Sequence, residues 1–162
     1  DETIQLLLDK QIPIVTTFAP VVMQANAEIA RKYNVPEWKI EERQKAIAKP
    51  ERYAGLVNAA KAGVPIAFGT DAGSPVVGHE VVAPELKFMV QVGVVSNNYA
   101  ALRSATIIAA RLSKLEGKLG TLEAGKEADV IVVNSDPLAD LDALEQIDMT
   151  FISGKKMLGV GN

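Results

Sequence analysis

The run Gly63-Val64-Pro65-Ile66-Ala67-Phe68-Gly69-Thr70-Asp71-Ala72-Gly73-Ser74-Pro75 carries an apolar stretch onto a carboxylate set among small residues. Such a carboxylate can bind a metal or move a proton, with Gly69 and Gly73 leaving the backbone approachable and the Thr70 and Ser74 hydroxyls available to orient it. It can equally close an Asx turn with Gly73 or cap the next segment. Spacing alone leaves both open. His79, the single histidine of the chain, follows in the same loop. There is no cysteine, which removes disulfides, thiolate ligands and a Cys nucleophile. No serine sits in a GxSxG elbow, and the glycines around Gly-Thr-Leu-Glu-Ala-Gly (120–125) lack dinucleotide or Walker spacing.

Other polar and aromatic residues have plainer readings. Thr17 and Phe18 end an earlier apolar run and could line the same mouth, although packing at a strand end is their commoner role. Glu41, Glu42, Arg43 and Lys45 read as a solvated helix face, and Trp38 beside Pro36 as local packing. Asp129 opens an apolar strand, where it fixes a turn or an interdomain contact.

The elements that must position these residues follow from periodicity. Ile4, Leu7 and Leu8 have helical spacing, and a strand follows over about Ile12 to Phe18, where β-branched residues dominate. Pro20 ends that strand region. Helices are expected over Gln24 to Tyr33, Ile40 to Ala48 and Glu51 to Ala62, the last with Tyr53, Leu56, Val57 and Ala60 on one face and Gly63 as its stop. Val64 to Phe68 reads as a strand covered on both faces. Helices resume at Pro84 to Val92 and at Asn97 to Leu115, with Ser96 as N-cap and a buried seam of Leu102, Ala105, Ala109 and Leu112. Alternating helices and strands predict parallel βα units, whose chemistry sits at the carboxyl ends of the strands, where Asp71 falls. From Gly117 the texture changes to glycine-punctuated turns, a strand over Ala128 to Val133 and two short strands about a Ser-Gly turn.

Bulk properties bound the function. The 162 residues are 48% hydrophobic, enough for a sizeable core, and the net charge of −3 with interleaved signs excludes a nucleic-acid or anionic-lipid surface. No apolar run is long enough to span a bilayer. The chain reads as soluble, with the cytoplasm slightly favoured; a leader would lie upstream of these residues.

Taken together, Gly-Val-Pro-Ile-Ala-Phe-Gly-Thr-Asp-Ala-Gly (63–73), His79, the segment Ala105-Thr106…Ala109-Ala110-Arg111-Leu112, and Leu119-Gly120…Gly125-Lys126…Ala128-Asp129 resemble the C-terminal portion of the amidohydrolase superfamily. The likeness runs along nearly the whole chain and points to the branch of Xaa-Pro dipeptidases and imidazolonepropionase-like enzymes. The resemblance implies a metal-dependent hydrolase on a (β/α)8 barrel with a small β-sandwich. It assigns Asp71, at the end of the eighth strand, as metal ligand and catalytic acceptor of the proton of the water that the metal activates. It assigns His79 as a substrate contact, with the reservation that Glu80 follows His79 where the family has Gly. The implied cofactor is a divalent metal, in the first instance zinc, with most ligands outside these residues: the His-x-His pair, the carboxylated Lys and the remaining His residues of the family have no counterpart here.

A closed barrel takes about 250 residues. We therefore expect residues 1–116 to be the last βα units of such a barrel and 117–162 to be strands of the β-sandwich, within a longer hydrolase of small amides or dipeptides. The Asp1 start accords with that expectation. The isolated piece would be inactive, with strand edges that self-associate or pair with a missing N-terminal part. The alternative is a non-catalytic domain, standalone or truncated, that binds a partner or small ligand through the old barrel mouth.

Overall fold

In the computed structural model the description covers residues 1–157. Helix α1 (Glu2–Asp9), capped by the Asp1 side chain, leads into strand β1 (Ile14–Thr16). Three helices follow, α2 (Ala19–Ala25), α3 (Ala27–Lys32) and α4 (Glu37–Ile47). A 3-10 turn at Pro50–Tyr53 opens α5 (Ala54–Lys61), and Gly63 turns the chain with φ +100° into β2 (Ile66–Phe68). Strands β1 and β2 pair in parallel, with Ile14 opposite Ile66 and Thr16 opposite Phe68. The expected parallel βα unit is present, with shorter strands than the apolar runs suggested.

The core lies between this pair and the helices that follow it. Phe18, Tyr53 and Phe88 meet edge to face with centroids 5.2–5.7 Å apart, a geometry that adds to their burial. Ile66, Leu86, Met89, Val92 and Ala101 pack around them, with the predicted face of Leu56, Val57 and Ala60 on α5, and Tyr53 just before it, against the cluster. Helix α6 (Val82–Gln91) buries Leu86, Phe88 and Met89 here. Phe18 is therefore a packing residue, while Thr17 beside it stays exposed.

Two helix expectations are corrected. The N-cap of α7 (Asn98–Arg103) is Asn97, whose side chain accepts from Ala100 N–H, and not Ser96. A π-helical segment over Ser104–Ile108 separates α7 from α8 (Ala109–Leu112). Leu102 and Ala105 of the expected seam pack against the core, but the extra residue of the π segment rotates the apolar face, so the fully buried positions are Ala101, Ser104 and Ala110, and Leu112 is 42% exposed. Gly120, at φ +90°, lies against this segment: a Cβ there would sit 2.8 Å from Ala110 Cβ and 2.9 Å from Ile107 Cα.

The last part of the chain forms an antiparallel sheet of β3 (Val130–Val133), β4 (Ile147–Ile152) and β5 (Lys155–Met157). Asp129 fixes the β4–β5 turn, its carboxylate accepting from Ser153 N–H. A 3-10 turn at Leu141–Glu145 ties this part to α6 through the Lys87–Asp142 ion pair at 2.7 Å. Trp38 packs on little, being 67% exposed. Of the charged face of α4, Arg43 is only partly solvated and donates to Gln24 Oε1 on α2. No helix among the described residues is long and apolar enough to cross a membrane.

Candidate active site at the ends of the parallel strands

Asp71 stands three residues beyond the end of β2, at φ +55°, a left-handed conformation that Asp adopts more readily than most residues. Its side chain is exposed. The hydrogen bonds of the loop are made by its backbone: Ser74 N–H donates to Asp71 O (3.3 Å), Gly73 N–H to Val77 O (2.9 Å) and Val77 N–H to Ser74 O (3.0 Å). With Gly73 N–H spent on Val77, the Asx turn with Gly73 does not form. The Asp71 carboxylate takes no hydrogen bond among the described residues.

The hydroxyls expected to orient Asp71 do other things. Thr70 Oγ1 accepts from Ala72 N–H at 3.2 Å, and Ser74 Oγ is buried without a partner. Gly69 is also read differently by the structure. A Cβ at this position would lie 2.7 Å from Val15 Cγ1 and 2.9 Å from Thr16 O, so its role is to let β2 close on the end of β1 rather than to admit a ligand. Gly73 does face open space. Val76, a β-branched residue at φ +75° and buried, marks the same loop as strained.

His79 is exposed and borders a hollow of about 630 Å³ with Met23, Ile29, Val82, Pro84 and Leu144. Asp71 does not line that hollow. Glu80 folds its carboxylate over Gly78, occupying the space a Cβ there would need.

Sequence reasoning missed Glu85. It is fully buried on α6, and Oε2 accepts from the backbone N–H of Ala19 at the start of α2. Burial pushes this carboxyl above the ordinary carboxylate range, against the opposing pull of the Phe18 and Ala19 N–H groups and the Thr16 hydroxyl. The hydroxyl is near enough to be felt, yet neither Thr16 Oγ1 nor Glu85 Oε1 makes a hydrogen bond of full geometry. The signal was present: Glu85 falls three, four and seven positions before Phe88, Met89 and Val92, which places a carboxyl on the apolar face of its helix.

Among the described residues no group of three His, Asp or Glu converges to hold a metal. The site so far is one free carboxylate beyond a buried parallel strand. Comparison decides its kinship: the amidohydrolase family profile matches residues 13–157. The chain belongs to the amidohydrolase family. Among solved structures it is similar to a Xaa-Pro dipeptidase with bound methionine in the active site, at 29% identity and TM-score 0.69 over 98% of this chain and 37% of that one. It is similar to a prolidase complexed with N-methylphosphonate-L-proline, at 25% identity and TM-score 0.71 over 97% and 38%. Ochratoxinase of A. niger matches at 30% identity and TM-score 0.69 over 99% and 35%. This amidohydrolase chain thus spans little more than a third of the length of these solved relatives. No curated protein matches it.

Proposed function

We propose that the chain is part of a metal-dependent amidohydrolase that cleaves C–N bonds of small amides or dipeptides, with Asp71 as metal ligand and catalytic proton acceptor. The observation that carries this reading is the Asp71 carboxylate, exposed beyond the carboxyl end of a parallel strand and without a hydrogen bond among the described residues. Family membership and the dipeptidase and prolidase likenesses support the substrate class. In this reading residues 1–116, which hold the parallel pair, are the last βα units of a (β/α)8 barrel. Residues 117–162, which hold the antiparallel sheet, belong to the β-sandwich. Val15 on β1 is 45% exposed, an apolar strand residue of the kind neighbouring barrel strands would cover.

A free carboxylate suits one position of a zinc site, and the remaining ligands come from outside these residues. A divalent cation held there would supply a water whose pKa is lowered to roughly 7 and would polarise the scissile carbonyl. The chain's own contribution is at Asp71, whose carboxylate oxygen takes a proton from the attacking water and delivers it to the leaving nitrogen. His79 contacts the substrate carboxylate or carbonyl from the rim of its hollow.

Metal analysis tests the arrangement. The full-length hydrolase should hold stoichiometric divalent metal and cleave Xaa-Pro dipeptides, and the isolated 162-residue chain should do neither and should self-associate. Stoichiometric zinc in the isolated chain would contradict a site completed from outside. A full-length protein with neither metal nor turnover would leave the non-catalytic binding domain as the better account.

A further inference from the structure

Helix α2 begins without a cap of its own. Phe18 occupies the N-cap position and offers no side-chain acceptor, and Pro20 in the first turn has no N–H. Such a helix start leaves backbone donors that must find partners elsewhere. The partner is Glu85, reaching from α6 to Ala19 N–H. An apolar side chain at position 85 would fill the same interior without the cost of desolvating a carboxyl, which burial makes substantial. The second carboxyl oxygen and the Thr16 hydroxyl are both buried and without a well-formed hydrogen bond among the described residues, and that hydroxyl, at the carboxyl end of β1, acts on the Glu85 carboxyl. Thr16 is also where Gly69 closes on β1, with the Thr16 carbonyl in the space a Gly69 Cβ would occupy. Asp71 hangs two residues beyond that contact.

We propose that Glu85 is a positioning residue for the candidate active site: its buried carboxyl joins the start of α2 to the end of β1 and so fixes the surface against which Gly69 and the Asp71 loop are set. This rests on the assignment of Asp71 above. Glu85 acts through the backbone at Ala19 and through Thr16, and touches no substrate.

The test uses the full-length enzyme with four variants, E85Q, E85L, T16V and D71N, with kcat and KM measured on an Xaa-Pro dipeptide and folding checked by circular dichroism and thermal melting. E85Q keeps an acceptor for Ala19 and a polar group beside Thr16, and should hold kcat within about threefold of the parent. E85L has similar bulk without the acceptor, and should lower kcat by about tenfold or more with KM moved less than threefold and the fold retained. If E85L does not fold, T16V decides, because Val matches Thr in shape; it should lower kcat severalfold at unchanged KM. Wild-type kcat in a folded E85L, or in T16V where E85L is unfolded, overturns the proposal. D71N separates the two ideas: if it is inactive while E85L and T16V keep full kcat, only the role of Glu85 fails. If D71N is active, the assignment of Asp71 fails and takes the role of Glu85 with it.

Discussion

The Glu85 carboxyl on α6 caps α2 by accepting from Ala19 N–H, a contact between residues 66 positions apart. Its effect on stability has a definite sign. The folded state holds the Glu85 proton more tightly than the unfolded chain, whose ordinary value is 4.5. The contribution to stability is therefore complete below about pH 4.5 and declines as pH rises through the raised folded value. E85Q carries no titrating proton and should escape that decline. Urea unfolding of both proteins at several pH values from 4.5 to 8 should show the difference growing in favour of E85Q. Parallel curves would contradict a buried carboxyl with a raised pKa.

The contact between Gly69 and β1 predicts a different failure. In G69A the new methyl meets Val15 Cγ1 and the Thr16 carbonyl below van der Waals distance. The neighbour includes backbone, which cannot swing aside. Overpacking of this kind costs about 1–3 kcal/mol, readable as a lower urea midpoint at unchanged m-value, and turnover should fall because the Asp71 loop starts from this contact. A neutral G69A would contradict the close approach of the strands.

The Lys87–Asp142 pair joins α6 to the 3-10 turn before β4, and the hydrogen bond to Asp142 raises the Lys87 pKa. Both side chains are about half exposed, so solvent and salt screen the attraction. D142N should cost less than about 1 kcal/mol, and that loss should shrink further at high ionic strength. A loss of several kcal/mol would mean that this pair, rather than apolar packing, docks the two parts.

Much of this architecture was legible in the residues because local signals and tertiary packing agree. The buried face of Leu56, Val57 and Ala60 on α5, continued by Tyr53 from the 3-10 turn before it, the Gly63 stop and the Ser153-Gly154 turn fall where periodicity and turn chemistry place them. Two features were not legible, for physical reasons. The start of α2 at Ala19 depends on an acceptor far away in sequence, so no local cap signal announces it. The π segment at Ser104–Ile108 breaks the 3.6-residue period, so the seam holds at Leu102 and Ala105 and has drifted off the buried face by Leu112. At the site, the type and strand-end position of Asp71 could be read from sequence, but not that Gly69 serves strand packing or that Thr70 and Ser74 leave the carboxylate alone. Those depend on how β1 and β2 meet.

The central claim concerns Asp71, and the D71N variant of the full-length hydrolase tests it most directly. Asn tolerates the left-handed backbone at least as well as Asp, and the side chain is exposed with no hydrogen bond among the described residues to lose. The variant should therefore melt within a few degrees of the parent. Its kcat on an Xaa-Pro dipeptide should fall by about a thousandfold or more, in the upper part of the roughly 10²–10⁴ that acid–base catalysis contributes or above it, because a metal ligand is lost as well. A folded D71N retaining more than about a tenth of parental kcat would contradict the account.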